Sequence, residues 1–188
     1  MARHAVIFLA PGFEELEALA PVDVFRRAGL AATLAAVQTS PDGALTVSGA
    51  HGIRVQADVA AGELSPRGWD VAYLPGGMPG ATNLAASEVV RSLVAGIHAS
   101  GALVCAICAA PIVLDASGLL SGVEYTCYPG FEKHIANGTY TGKFIQKSGR
   151  ILTACGPGAA VEFSLEILRS LGMAAVAGSL AEAMQLRR

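Results

Sequence analysis

The sequence predicts an α/β fold: a mainly parallel sheet covered by helices on both faces. Three observations predict it. Short apolar runs of strand length alternate with longer segments whose apolar residues recur at helical spacing. Glycine or proline closes most of these runs. Of the 188 residues 53% are apolar and only 15% are charged, so most elements can be buried on both sides. At this length the chain is expected to form one domain over residues 1–188 without disulfide or metal support.

The elements follow in order. His4 to Ala10 reads as a buried strand ended by Pro11-Gly12. A helix is expected from about Glu14 to Ala28, with Leu16, Leu19, Ala20, Val24 and Phe25 as its apolar stripe and Gly29 at its C-terminal end. Ala31 to Val37 is the second strand, and Ser40-Pro41-Asp42-Gly43 carries turn chemistry. Short extended pieces are expected at Thr46–Ser48 and Gly52–Ala57. Asp70 to Leu74 is a strand running into Pro75-Gly76-Gly77, and Ser87 to Ala99 is helical. Ala102 to Ile107 is another buried strand, after which Cys108-Ala109-Ala110-Pro111 opens a helix. Gly122 to Cys127 reads as extended, and Lys147 to Ala154 as a hairpin around Ser148-Gly149. Gly156-Pro157-Gly158 precedes a helix to about Leu171, and a last helix covers Met173 to Gln185.

Composition narrows the function classes. A net charge of −2 offers no basic surface for nucleic acid or an anionic membrane. The apolar run Ala5–Ala10 is too short for a secretory signal, and Glu14, Glu15 and Glu17 follow it closely. No stretch reaches the roughly 20 apolar residues needed to span a bilayer. The expected compartment is the cytoplasm, so Cys105, Cys108, Cys127 and Cys155 are expected as reduced thiols.

In doubly wound sheets ligands bind at the carboxyl ends of the strands. Three such ends carry distinctive residues: Pro11–Glu17, Pro75–Gly80 and Ile107–Pro111. Cys108 follows the strand LVCAI and precedes small residues, as a nucleophile on a sharp strand–helix turn requires. The helix start is expected to lower its thiol pKa. A small buried hydrophobe is the other reading of such a cysteine. Cys105 lies inside the strand and is read as core, which disfavours a dithiol or zinc reading of the C-x-x-C pair. Glu14 and Glu15 are explained by the preference of acids for helix N-termini. Glu17, one turn on and nearer the apolar stripe, is the candidate to face inward as a proton shuttle. The Gly76-Gly77 turn and the Ala109 N–H offer backbone donors for an oxyanion, though a glycine turn alone is a weak signal.

The stretches APGFEELEA, PVDVFRRAGL, LPGGMPGATNL, AICAAP and ILTACGPGAAVEF together resemble the ThiJ/PfpI superfamily, in the branch of the Parkinson-disease protein. They occur in family order and cover nearly the whole chain. The resemblance implies a flavodoxin-like three-layer sandwich and a homodimer. It implies a nucleophilic cysteine at Cys108, a glutamate partner at Glu17, and oxyanion amides at Gly77 and Ala109. Two departures stand out. Tyr128 occupies the place where many relatives carry a histidine beside the cysteine, and tyrosine is a poor base at neutral pH. Ala109 replaces the histidine of the protease-like branch, which disfavours proteolysis. His51 lies near a position where relatives present an arginine to the partner's site, and it is equally readable as a loop residue. Cys127 and Gly76 complete the expected pocket.

The activity implied is cysteine-dependent processing of 2-oxoaldehydes such as methylglyoxal, or of their protein adducts, without metal or organic cofactor. Two alternatives stay open. One is a redox-sensing protein with an oxidisable Cys108, for which Cys127 is a candidate resolving thiol. The other is an acyl hydrolase.

Overall fold

The computed structural model describes residues 3–38 and 44–186. The turn expected at 40–43 lies outside them. In chain order the strands are β1 (His4–Leu9), β2 (Ala31–Ala36), β3 (Thr46–Ser48), β4 (Arg54–Gln56), β5 (Val59–Ala60) and β6 (Val71–Leu74). They continue with β7 (Leu103–Ile107), β8 (Glu124–Tyr125), β9 (Thr139–Tyr140), β10 (Ile145–Ser148) and β11 (Ile151–Ala154). The helices are α1 (Glu15–Arg27), α2 (Gly80–Ala86), α3 (Glu88–Ala99), α4 (Pro111–Ala116), α5 (Ala160–Ser170) and α6 (Ala174–Ala183).

Seven strands form the central sheet in the order β10-β11-β7-β6-β1-β2-β5. All its pairs are parallel except the β10–β11 hairpin at one edge. Counting β1, β2, β6, β7 and β11 as first to fifth, the spatial order is 2-1-3-4-5, the flavodoxin-like winding. Its reversal point lies between β1 and β6, which opens a crevice at their carboxyl ends. Strands buried on both faces supply two core layers. Ile7, Leu9, Tyr73, Cys105 and Ile107 face Phe25 of α1 and Phe163 of α5. Val6, Phe8, Leu74, Val104 and Ala106 face Leu84 of α2, Val94 and Ile97 of α3 and Val113 of α4.

Several expectations are corrected. Leu16 points outward and is 65% exposed, whereas Glu15 and Glu17 are buried beside Ala18, Val22 and Phe25. Both acids find donors inside; of the expected stripe Val24 and Phe25 are buried, as expected of Glu17 too, whereas Leu16 is not. Helix α2 has no counterpart in the sequence reading, because GATNLAA opens on glycine and shows no broad apolar stripe. Only Glu124–Tyr125 of the segment expected as extended forms a strand, pairing with β9 outside the main sheet. The piece expected at Gly52–Ala57 contracts to β4, which pairs antiparallel with β3.

Candidate active site

The loops after β1, β6 and β7 meet at the crevice. Glu14 caps α1: its side chain accepts from the Glu17 N–H at 2.7 Å, satisfying one orphan donor of the first turn. The Glu14 N–H in turn donates to the Gly76 carbonyl at 3.0 Å, tying the helix start to the β6 loop. This seats Glu17 under the loop with no exposed surface, its Oε2 accepting from the Gly76 N–H at 2.7 Å. Among the described residues Oε1 meets no donor with full hydrogen-bond geometry, but the carboxyl interacts with the neighbouring Cys108 thiol. Burial pushes the Glu17 carboxyl up to about 7, against the pull of the Gly76 amide and the thiol.

Cys108 has a φ of +61°, in the left-handed region that an L-residue other than asparagine or aspartate rarely visits. Its N–H donates to the Ala154 carbonyl and its own carbonyl accepts from the Tyr128 N–H, each at 2.9 Å, so the strained residue is fixed from both sides. The thiol is partly exposed and interacts with the backbone N–H groups of Ala109 and Gly77. Contrary to the expectation from the helix start, the thiol is pushed up rather than down. Burial is the main cause and the Glu17 carboxylate the next; the two amides oppose them. Helix α4 is only 6 residues long and begins three positions later, too weak a dipole to offset either. Protonation of Glu17 removes the repulsion but leaves the cost of burial, so the thiol holds its proton and the Glu17 carboxyl ionises first.

The crowding is severe at Gly76. A Cβ there would lie 2.8 Å from Cys108 Cβ, 2.8 Å from Glu17 Oε2 and 2.9 Å from the Ala109 nitrogen. Gly77, at φ +86°, packs against the Gly12–Glu14 backbone. The glycine pair is thus a geometric requirement of the approach between the β1, β6 and β7 loops.

The other residues singled out by sequence are distributed less tightly. Tyr128 is 48% exposed; its ring lies against Gly156 and edge-on to Phe131, 6.4 Å away. With Phe144, Cys155 and Pro157 it lines a cavity of about 450 Å³. Cys127 is fully buried in the core layer shared by α2, α3 and α4, whereas Cys108 packs against the opposite layer. His51 sits at the rim. Glu15 accepts its N–H at 2.8 Å and lies 2.7 Å from its Nδ1, and this contact raises the imidazole pKa above its ordinary value. Burial pushes the Glu15 carboxyl up, but the His51 and Ile53 hydrogen bonds outweigh it and hold the pKa below the usual range. Glu14, Glu15 and His51 bring ligand atoms within 4.8 Å of one another, yet both acids already serve protein donors. Cys155, partly exposed, directly follows Ala154, whose carbonyl accepts the Cys108 N–H.

Residues 3–170 match the profile of the DJ-1/PfpI family. The Parkinson disease protein 7 homolog of Danio rerio is 35% identical over 182 residues, covering 95% of this chain and 94% of that protein. The glutathione-independent glyoxalase DJR-1.2 of Caenorhabditis elegans is 35% identical over 174 residues, covering 90% and 89%. The crystal structure of Drosophila melanogaster DJ-1beta superposes with a TM-score of 0.93 at 33% identity, covering 100% of both chains. The fold, its winding and these similarities agree: the chain belongs to the DJ-1/PfpI family.

Proposed function

We propose that the protein isomerises and hydrates small 2-oxoaldehydes, with Cys108 as nucleophile and Glu17 as proton shuttle. The observation that carries this reading is a fully buried carboxyl, raised to about 7, coupled to a cysteine thiol on a left-handed turn. A base that must take and return a proton near neutrality works best with such a pKa. The similarity to a glutathione-independent glyoxalase supports the same chemistry.

The steps use few groups. Glu17 takes the Cys108 proton, and the sulfur attacks the aldehyde carbon of methylglyoxal. The developing oxyanion lies toward the Ala109 and Gly77 N–H groups and is protonated to a hemithioacetal. Glu17 carboxylate then removes the hydrogen on that carbon and returns it to the neighbouring carbonyl carbon, while the hemithioacetal hydroxyl proton passes to that carbonyl's oxygen. The result is a thioester carrying a 2-hydroxyl. Water cleaves the thioester, releasing lactate and the free thiol. Glu17, buried and adjacent to the thiol, is the proton-handling group of this scheme. Glycated protein is a larger substrate for the same attack.

Lactate release from methylglyoxal by the purified protein tests the reading. Cys108→Ala is expected to abolish turnover while leaving the unfolding midpoint within a few degrees of wild type; turnover surviving in that variant overturns it.

The reading includes a homodimer. Leu16, Leu19, Ala20 and Ile53 give an apolar side to a groove of about 670 Å³ that Glu14, Glu15 and His51 also line, and Leu16 and Ile53 are exposed in the isolated chain. An apolar groove of this kind favours burial against a second copy. Leu16→Glu is expected to convert the dimer to a monomer in sedimentation velocity. A wild-type monomer, or a variant that sediments unchanged, removes this part of the reading.

A further inference from the structure

Cys108 and Cys155 each follow directly on the last paired residues of two adjacent strands, Ile107 of β7 and Ala154 of β11. In the β7–β11 ladder Val104 is paired with Ile151, and the Val104 N–H donates to the Arg150 carbonyl. The Cys108 N–H donates to the Ala154 carbonyl at 2.9 Å, with the same offset of one residue. This one bond extends past the last pair, Ile107 and Ala154, before Cys108 turns away, and it brings the backbone of Cys108 beside that of Cys155. Opposed residues on adjacent strands have Cα atoms about 5 Å apart. A disulfide spans about 4.4–6.8 Å between Cα atoms.

Their surroundings match as well. Both thiols are partly exposed, and both side chains pack against the core layer shared with α1 and α5. Cys155 lines the cavity under Tyr128, whose N–H is bonded to the Cys108 carbonyl, so solvent and small oxidants have access there. The Glu17 carboxyl acts on both sulfurs. Cys105 and Cys127 are fully buried, and Cys127 packs in the other layer.

We propose that Cys155 is the resolving thiol of Cys108: once a peroxide has oxidised Cys108 to a sulfenic acid, Cys155 closes an intrachain disulfide with it. In the first step the Cys108 thiolate attacks one peroxide oxygen. The O–O bond breaks, hydroxide leaves, and the sulfur gives up two electrons. In the second, the Cys155 sulfur attacks the Cys108 sulfur and the S–O bond breaks. The Cys155 proton goes to the departing oxygen, which leaves as water. A dithiol reductant restores both cysteines. The disulfide competes with a second peroxide, which would carry Cys108 on to the sulfinic acid.

The inference rests on Cys108 being the reactive thiol of the proposed function. The test treats the reduced full chain with a small excess of hydrogen peroxide, alkylates the remaining thiols and maps peptides under non-reducing conditions. A Cys108–Cys155 cross-linked peptide is expected as the major product, reversed by dithiothreitol. In Cys155→Ser it is expected to vanish and Cys108 to gain two oxygens, while Cys127→Ser retains it. Wild-type Cys108 carrying two oxygens beside an alkylated Cys155, or a disulfide to Cys127, overturns the proposal alone. Cys108 left reduced and alkylated overturns the reactive-thiol reading with it.

Discussion

Glu17→Gln is expected to lower kcat for methylglyoxal by roughly 10²–10⁴-fold, the range that a positioned general base supplies. It is also expected to make the protein more stable at neutral pH. Both effects come from one cause. The substituted amide keeps an oxygen for the Gly76 N–H, so the loop stays tied to α1. What the variant loses is a carboxyl whose ionisation burial disfavours, pushing it up to about 7. The sign is fixed by proton counting. Between the ordinary carboxylate range, about 4.3, and 7, the folded chain holds a proton that the unfolded chain releases. Stability from this group is complete below that window and is lost as pH rises through it. Above pH 7 the wild type carries a deficit on the order of a few kcal/mol that glutamine does not. Chemical unfolding at pH 5 and pH 8 should show the variant's advantage growing with pH, while kcat/KM of the wild type rises through neutrality. A variant with full turnover, or an advantage that is the same at both pH values, would contradict the assignment.

Gly76→Ala is expected to remove activity by at least about 10²-fold and to destabilise the fold by roughly 1–3 kcal/mol. The added methyl meets three groups at once, and two of them, Cys108 Cβ and the Ala109 nitrogen, cannot move without the backbone. Moving Cys108 Cβ displaces the nucleophile, moving Glu17 breaks its bond to the loop, and moving the Ala109 amide displaces an oxyanion donor. Each escape route damages the chemistry. Gly62→Ala is the matched control, since a Cβ there has nothing within 4 Å and its backbone needs no left-handed φ. Steady-state kinetics and a melting curve on the two variants decide the matter: equal behaviour would mean the loop relaxes without consequence.

The framework was legible because β1 and β7 are continuous apolar runs and α3 carries a clear stripe, signals that survive any packing detail. The short pieces were not. A two-residue strand such as β5 has no periodicity, and α2 is made largely of small residues. On α1 the pattern placed Val24, Phe25 and Glu17 inward as found but missed the outward Leu16 and the buried Glu15, because Glu15 is held in by His51, 36 residues away in the chain. Cys108 and Glu17 could be singled out from local context and resemblance. The relation of Cys108 to Cys155 could not, since it exists only through strand pairing. Cys127 drew attention through its neighbour Tyr128, yet its side chain lies in the core.

The backbone angle at Cys108 separates two kinds of fitness. A left-handed turn is the place where glycine relieves strain of about 1 kcal/mol or more. A chain selected only to fold would therefore drift toward glycine at 108, and cysteine would be among the replacements it discards. Whatever holds cysteine there acts on chemistry and against conformational ease. On the proposed mechanism, the residue at 108 answers to chemistry at a position where folding alone favours glycine.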